Sequence, residues 1–238
     1  PVPEYAADAG LTAVYERTKS GFNVPWMGVV AMAFAHYREF YKCLWQAMEP
    51  VVMTQAFADA CQKLRFVAEK EAASLSPVAI CSKLTKLGYD DREIEEIKNC
   101  NEVFSSGNMP YVLMATLARL LLEGHSWDGK GSAQTHDAPS ITFKRPVLIE
   151  LHHADHTTAA LFADIRQTLG LPFVNTDYRA FARWPSYFNP AWSDLRSIIL
   201  REEYEYAVLR VHEAAVLLAG SLPNMSKITP QQLIGCAT

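Results

Sequence analysis

Pro172-Phe173-Val174-Asn175-Thr176-Asp177-Tyr178-Arg179-Ala180-Phe181-Ala182-Arg183-Trp184-Pro185 reads as an extended approach followed by a helix. Asn175 and Thr176 are good N-caps, Asp177 suits the positive end of the helix dipole, and Pro185 is expected to stop the run. One carboxylate thus stands at the mouth of an otherwise apolar helix. Taken alone, Asp177 needs no role beyond complementing the dipole. A second copy of the stretch changes that reading.

Setting Pro172 on Pro25 gives an offset of 147 residues, and this register runs without a gap from Ala7/Ala154 to Leu75/Leu222. It pairs Asp8 with Asp155, Phe34 with Phe181, Trp45 with Trp192, Ala60 with Ala207 and Ala68 with Ala215, and it sets Tyr15 on Phe162 and Tyr41 on Phe188. A chance alignment would not keep its largest side chains in step for so long. The chain is read as a tandem duplication, since repeats constrain a fold before any local pattern does. The expected architecture is an all-α, internally duplicated helical pseudo-dimer. Its N-terminal repeat covers residues 1–123, a linker 124–146 and the C-terminal repeat 147–238. Two similar units bury the same face against each other, as in a symmetric dimer, so the site is expected between the repeats. Symmetry breaks where Asn175, Thr176 and Asp177 face Gly28, Val29 and Val30. A pure scaffold has no reason to place a carboxylate on one side only, so one active site per chain is expected.

Half of the 238 side chains are hydrophobic, enough for a sizeable core in one large or two small domains. The net charge of −4 is spread without basic or acidic runs, which gives no electrostatic case for nucleic acid or an anionic membrane. The longest apolar run, Pro110 to Ala118, resumes after Arg119 only to Leu122 and is too short to span a bilayer. No signal peptide is expected. The five cysteines form no Cys-x-x-Cys pair, so a reduced, cytoplasmic protein with small buried thiols is the simplest reading.

The remaining text reads as helix nearly throughout. Helices are expected over Glu4 to Lys19, Trp26 to Tyr37, Ala47 to Ala73 with Pro50 near its start, and Val78 to Leu87 after a Ser76-Pro77 cap. Asp90 or Asp91 caps the next one, and Asn108-Met109-Pro110-Tyr111 starts an apolar helix ending at Gly124. From Gly124 to Pro146, Gly, Ser, Pro and lone charges mark the linker, with Trp127 as its anchor. In the second repeat a helix runs from Arg201 to Ala219. At the offset, Thr238 falls opposite Asp91, so the second repeat is expected to lack its last helical segment.

His152, His153, Asp155 and His156 do not follow the His-Glu-x-x-His order, and a polar helix face accounts for them better than a metal. No Gly-x-Ser-x-Gly elbow, Gly-x-Gly-x-x-Gly or Walker sequence occurs. No metal and no cofactor is expected. Asn108 and Tyr111 share one helical face, and capping with core packing explains them as a pair.

The Asn-x-Asp-Tyr-Arg-Ala-x-Ala-Arg-Trp-Pro block at Asn175 to Pro185, the Gly-Asn-x-Pro-Tyr block at Gly107 to Tyr111 and the two-repeat organisation resemble the group I 2-haloacid dehalogenases. These are the all-α enzymes also called the DL-2-haloacid dehalogenase family, distinct from the phosphatase-like L-specific enzymes. The resemblance covers about Val2 to Leu222. It implies Asp177 as catalytic base, Asn175 as the residue governing which enantiomer reacts, and Thr176 beside them. Asn108 and Tyr111 are implied as pocket residues, and Trp26 by pseudo-symmetry. It also implies a further helical segment after the second repeat.

A 2-haloalkanoate needs a recess for its carboxylate, an apolar wall for its alkyl group and halogen, and an oxygen nucleophile opposite the leaving halide. Helix N–H groups and the Thr176 hydroxyl can hold a carboxylate. Asp177 can take a proton from water attacking carbon 2, or attack that carbon itself to give an ester. Spacing leaves both open; the resemblance implies the water route with inversion and, through Asn175, D-selectivity. The expected partner is a small-molecule 2-haloacid, with a homodimer as candidate assembly. The other reading is a catalytically impaired helical protein that binds carboxylates or mediates an interaction.

Overall fold

The structure, a computed structural model, describes residues 1–136 and 145–237; residues 137–144 of the expected linker and the terminal residue 238 lie outside them. The expected all-α class holds. Among the described residues β pairing is confined to one isolated bridge, Thr54 with Thr135. The helices are α1 (Ala9–Phe22), α2 (Val29–Phe34), α3 (Arg38–Val52), α4 (Gln55–Ser74), α5 (Cys81–Leu84), α6 (Asp91–Leu122), α7 (His156–Leu169), α8 (Thr176–Phe181), α9 (Pro185–Ile199), α10 (Glu202–Ser221) and α11 (Pro230–Ala237). No helix among the described residues is long and apolar enough to cross a membrane.

Four helix pairs, α1/α7, α2/α8, α3/α9 and α4/α10, begin and end 147 residues apart. Their ends follow the same local chemistry. The Leu11 N–H donates to Asp8 Oδ1 at 2.9 Å and the Thr158 N–H to Asp155 Oδ1 at 2.7 Å, so each aspartate caps its helix. The same helices stop on left-handed residues, Asn23 (φ 52°) and Gly170 (φ 64°), where Gly and Asn cost least.

Some boundaries differ from the sequence reading. The stretch read as one helix from Trp26 to Tyr37 holds only the short α2, and α3 begins at Arg38. In the second half Pro185 does not merely stop a run. Helix α8 ends at Phe181 and Pro185 opens α9 at its first turn, where a missing N–H costs nothing. The expected helix from Ala47 to Ala73 is two helices. The Thr54 hydroxyl donates to the Val51 carbonyl and accepts from the Phe57 N–H, closing α3 and opening α4, and Pro50 lies in the last turn of α3. Asn108 and Pro110 do not start a helix but lie inside the 32-residue α6. Its start is a capping box, with the Glu93 N–H on Asp90 Oδ1 at 2.8 Å and the Asp90 N–H on Glu93 Oε2 at 3.4 Å.

The chain divides into two compact units. The first comprises Pro1–Glu69, Ser105–Lys144 and Arg210–Thr238. Its core is aromatic: Phe22 meets Trp45 edge-on at 5.5 Å, Tyr111 at 5.0 Å and stacks on Phe57 at 6.0 Å. Helix α11 packs on α3, burying Leu233. Trp127 anchors the start of the connection through Nε1–H to the Leu222 carbonyl at 2.7 Å. A Cβ on Gly129 would lie 2.1 Å from that carbonyl oxygen, so only glycine allows this approach. The second unit comprises Lys70–Phe104 and Arg145–Leu209. It buries Leu84, Ile97 and Phe104 with Phe162, Ile165, Phe181, Phe188 and Trp192.

Candidate active site

Helix α8 is under two turns long, so its place is set by neighbours rather than by its own hydrogen bonds. The Ile149 N–H donates to the Arg179 carbonyl at 3.0 Å, and the Arg179 guanidinium pairs with Glu150. Phe181 meets Phe104 at 6.1 Å and Tyr187 at 5.9 Å, both edge-on. Tyr178 is stacked on Phe188 at 5.9 Å and makes a T-shaped contact with Trp192 at 5.6 Å. Its phenol is pushed up by burial and by the charge of Asp177.

Asp177, half-buried on this helix, accepts the Tyr178 N–H on Oδ1 at 3.0 Å, while Oδ2 has no protein partner among the described residues. Burial raises its carboxyl above the ordinary carboxylate range, and the backbone N–H groups of Tyr178 and of Asp177 itself partly offset this. The Tyr178 N–H, one of the groups that the sequence reading offered to a substrate carboxylate, is therefore taken by Asp177. Cys100 on α6 senses the same charge: burial, with Asp177 adding, pushes its thiol up to about 11 against the opposing pull of Arg183. Arg183 lies over the Trp184 ring at 4.8 Å and 3.8 Å from Glu96. Cys100 escaped sequence reasoning because a lone cysteine on a helix carries no pattern.

Asn175 precedes α8 with an extended backbone (φ −61°, ψ 156°), and its side chain makes no capping hydrogen bond. The expected capping is thus done by the backbone alone, leaving the amide for other use. Thr176 is buried. These three residues are brought together simply by sequence on one short helix.

Trp26, Asn108 and Tyr111 belong to the other compact unit. The Tyr111 hydroxyl donates to the Trp26 carbonyl at 2.8 Å, and the two rings are 6.4 Å apart. Gly28 and Gly107 are explained by these rings. A Cβ on Gly28 would come within 2.8 Å of the Tyr111 ring, and one on Gly107 within 2.2 Å of Trp26 Cη2. Asn108, next to Gly107, is half-buried and has no side-chain hydrogen bond among the described residues. The counterpart position of Asn175 is therefore glycine because Tyr111 fills the space a side chain would need.

No family model matches the chain. It is 46% identical over 231 residues to an (R)-2-haloacid dehalogenase of Rhizobium sp. (strain NHG3), covering 95% of this chain and 89% of that protein. It is 35% identical over 235 residues to an (R)-2-haloacid dehalogenase of Pseudomonas putida, covering 96% and 78%. A solved complex of a D-2-haloacid dehalogenase mutant with D-2-CPA matches with a TM-score of 0.93 at 31% identity, over 100% of this chain and 84% of that one. The complex of a D-2-haloacid dehalogenase with L-LA matches at 0.89 and 31% identity, over 100% and 88%.

Proposed function

Because the chain belongs to the 2-haloacid dehalogenase family, we propose that it hydrolyses D-2-haloalkanoates to L-2-hydroxyalkanoates, with Asp177 as the base that activates water. The observation that carries this reading is the state of the Asp177 carboxylate. One oxygen is fixed by the Tyr178 N–H and the other is free to hold a water, in surroundings that make the group more basic than an ordinary carboxylate. In the step, water oxygen bonds carbon 2, the carbon–halogen bond breaks, halide leaves with the bond pair, and Asp177 takes the water proton. Attack opposite the halide inverts carbon 2. The (R)- and D-specific relatives favour catalysis over a carboxylate-binding module.

Asn175, uncommitted to capping, is proposed to fix substrate or water in the arrangement that suits the D-enantiomer. Asn108, Tyr111 and Trp26 enter as positioning residues on the family resemblance. With its hydroxyl committed to Trp26, Tyr111 would shape the wall rather than donate to substrate. The 147-residue recurrence of four helix pairs supports a duplication with repeats over 1–123 and 147–238. The four described cysteines are free thiols, which fits a cytoplasmic setting.

The test is halide release from D- and L-2-chloropropanoate supplied separately. The native protein is expected to act on the D-form, and Asp177→Asn to lose about 10²–10⁴-fold or more, the range of general-base help. Asn175→Ala is expected to gain activity on the L-form. Equal native rates on both enantiomers would remove the stereochemical assignment. Under single turnover in ¹⁸O-labelled water, label in the product rather than in Asp177 is the expected result, and label in Asp177 would establish the ester route instead.

A further inference from the structure

We infer that Asp164 is a positioning residue for Asp177, acting through Trp192 and Tyr178; the inference rests on the reading of Asp177 as the base. Asp164 Oδ2 accepts the Trp192 indole N–H at 2.7 Å and lies 3.2 Å from Arg196 Nε. The Trp192 and Tyr178 rings meet in a T-shaped contact at 5.6 Å with a 73° interplanar angle, and the Tyr178 N–H fixes Asp177 Oδ1 at 3.0 Å. All five residues lie in one compact unit. An indole N–H can only donate, so the carboxylate of Asp164 decides how the Trp192 ring is held.

The first half of the chain supplies the comparison. The positions 147 residues before Asp164, Trp192 and Arg196 are Arg17, Trp45 and Glu49. The ion pair is present there too, with its polarity reversed: Arg17 Nε is 2.8 Å from Glu49 Oε1, and Nη2 is 3.1 Å from Oε2. A guanidinium offers no acceptor, and the buried Trp45 Nε1 has no hydrogen-bond partner among the described residues. The ion pair forms with either polarity, so it does not require an acid at 164. The group that uses the acid is the indole. The ring that the anchored indole holds is also specific to this half, because the counterparts of Tyr178 and Asp177 are Ala31 and Val30. Anchor, clamped tyrosine and base occur together in one half, and all three are missing from the other.

The decisive variant is Asp164→Arg with Arg196→Glu, which keeps an ion pair and withdraws the acceptor from Trp192. It is expected to lower kcat on D-2-chloropropanoate about tenfold with KM nearly unchanged, as a small misplacement of a catalytic group does. Loosening the Tyr178 N–H bond removes a donor that favours the ionised carboxylate, so the acid limb of kcat should move to higher pH. Asp164→Asn keeps an acceptor oxygen and should recover most of the loss. Native kcat and an unmoved limb in the double variant would overturn the proposal. If that variant does not fold by circular dichroism, Trp192→Phe, which keeps an aromatic ring and loses the N–H, is read by the same two measurements. Carbon-13 titration of the Asp177 carboxyl, assigned by its loss in Asp177→Asn, separates this proposal from its parent. A native protein that releases no halide sinks the dehalogenase reading. An Asp177 midpoint unchanged by the double variant, or by Trp192→Phe where the double variant does not fold, sinks the positioning role.

Discussion

At the scale of the residue, the carboxylate proposed as base is also a stability liability. The folded state holds the Asp177 proton more firmly than the unfolded chain does, because burial raises its pKa. Between the ordinary value near 3.9 and the raised one, the folded form binds more protons, so stability falls as pH rises through that window and the deficit persists at neutral pH. Asp177→Asn carries no charge at any of these pH values. It is expected to raise the melting temperature at pH 7, the direction set by removing a buried charge whose folded-state pKa is raised. That advantage should disappear below about pH 3.9, where both forms of the wild-type residue are protonated. A variant less stable than native at pH 7 would show that the carboxylate is better satisfied than its surroundings indicate. Asp177 and Asn175 were visible in the sequence as candidates because the offset exposed them as polar residues opposite valine and glycine. Asp164 was not, since its counterpart Arg17 is also charged and the reversal matters only to an indole whose neighbours sequence does not reveal.

At the scale of the element, the same register that paired the helices could have located the break that propensity missed. Nothing between Ala35 and Arg38 signals a helix end, yet Arg38 stands 147 residues before Pro185, which opens α9. Helix α6 failed for the opposite reason. Gly107 and Pro110 look like punctuation, but Gly107 is required by the closeness of the Trp26 ring, and the helix runs through both. Tertiary packing overrode the local signal. The α1/α3 and α7/α9 pairs carry the reversed ion pairs, and the first leaves a buried donor unsatisfied. Giving Trp45 an acceptor by Arg17→Asp with Glu49→Arg is expected to raise the melting temperature by about 2–4 °C, since an orphaned buried donor costs roughly 1–3 kcal/mol and part of it is recovered. Thermal unfolding of the double variant checks this. The exposed ion pair itself contributes little either way.

At the scale of the whole molecule, fold class and helix register were readable, but the partition into compact units was not. The sequence divides at its linker, whereas residues 70–104 cluster with the second unit and 210–238 with the first. Which neighbours a long helix keeps along its length depends on side-chain shape, and α4, α6 and α10 each contribute to both units. The unequal treatment of Trp45 and Trp192 makes the two halves spectroscopically distinct. Both indoles are buried, but only one N–H proton is held by a carboxylate. In a spectrum of protein labelled with nitrogen-15 at its five tryptophans, the Trp192 side-chain resonance is expected well downfield of Trp45, each assigned by a Phe replacement. Each half of the chain then reports on itself through one proton, with no substrate added and no probe attached.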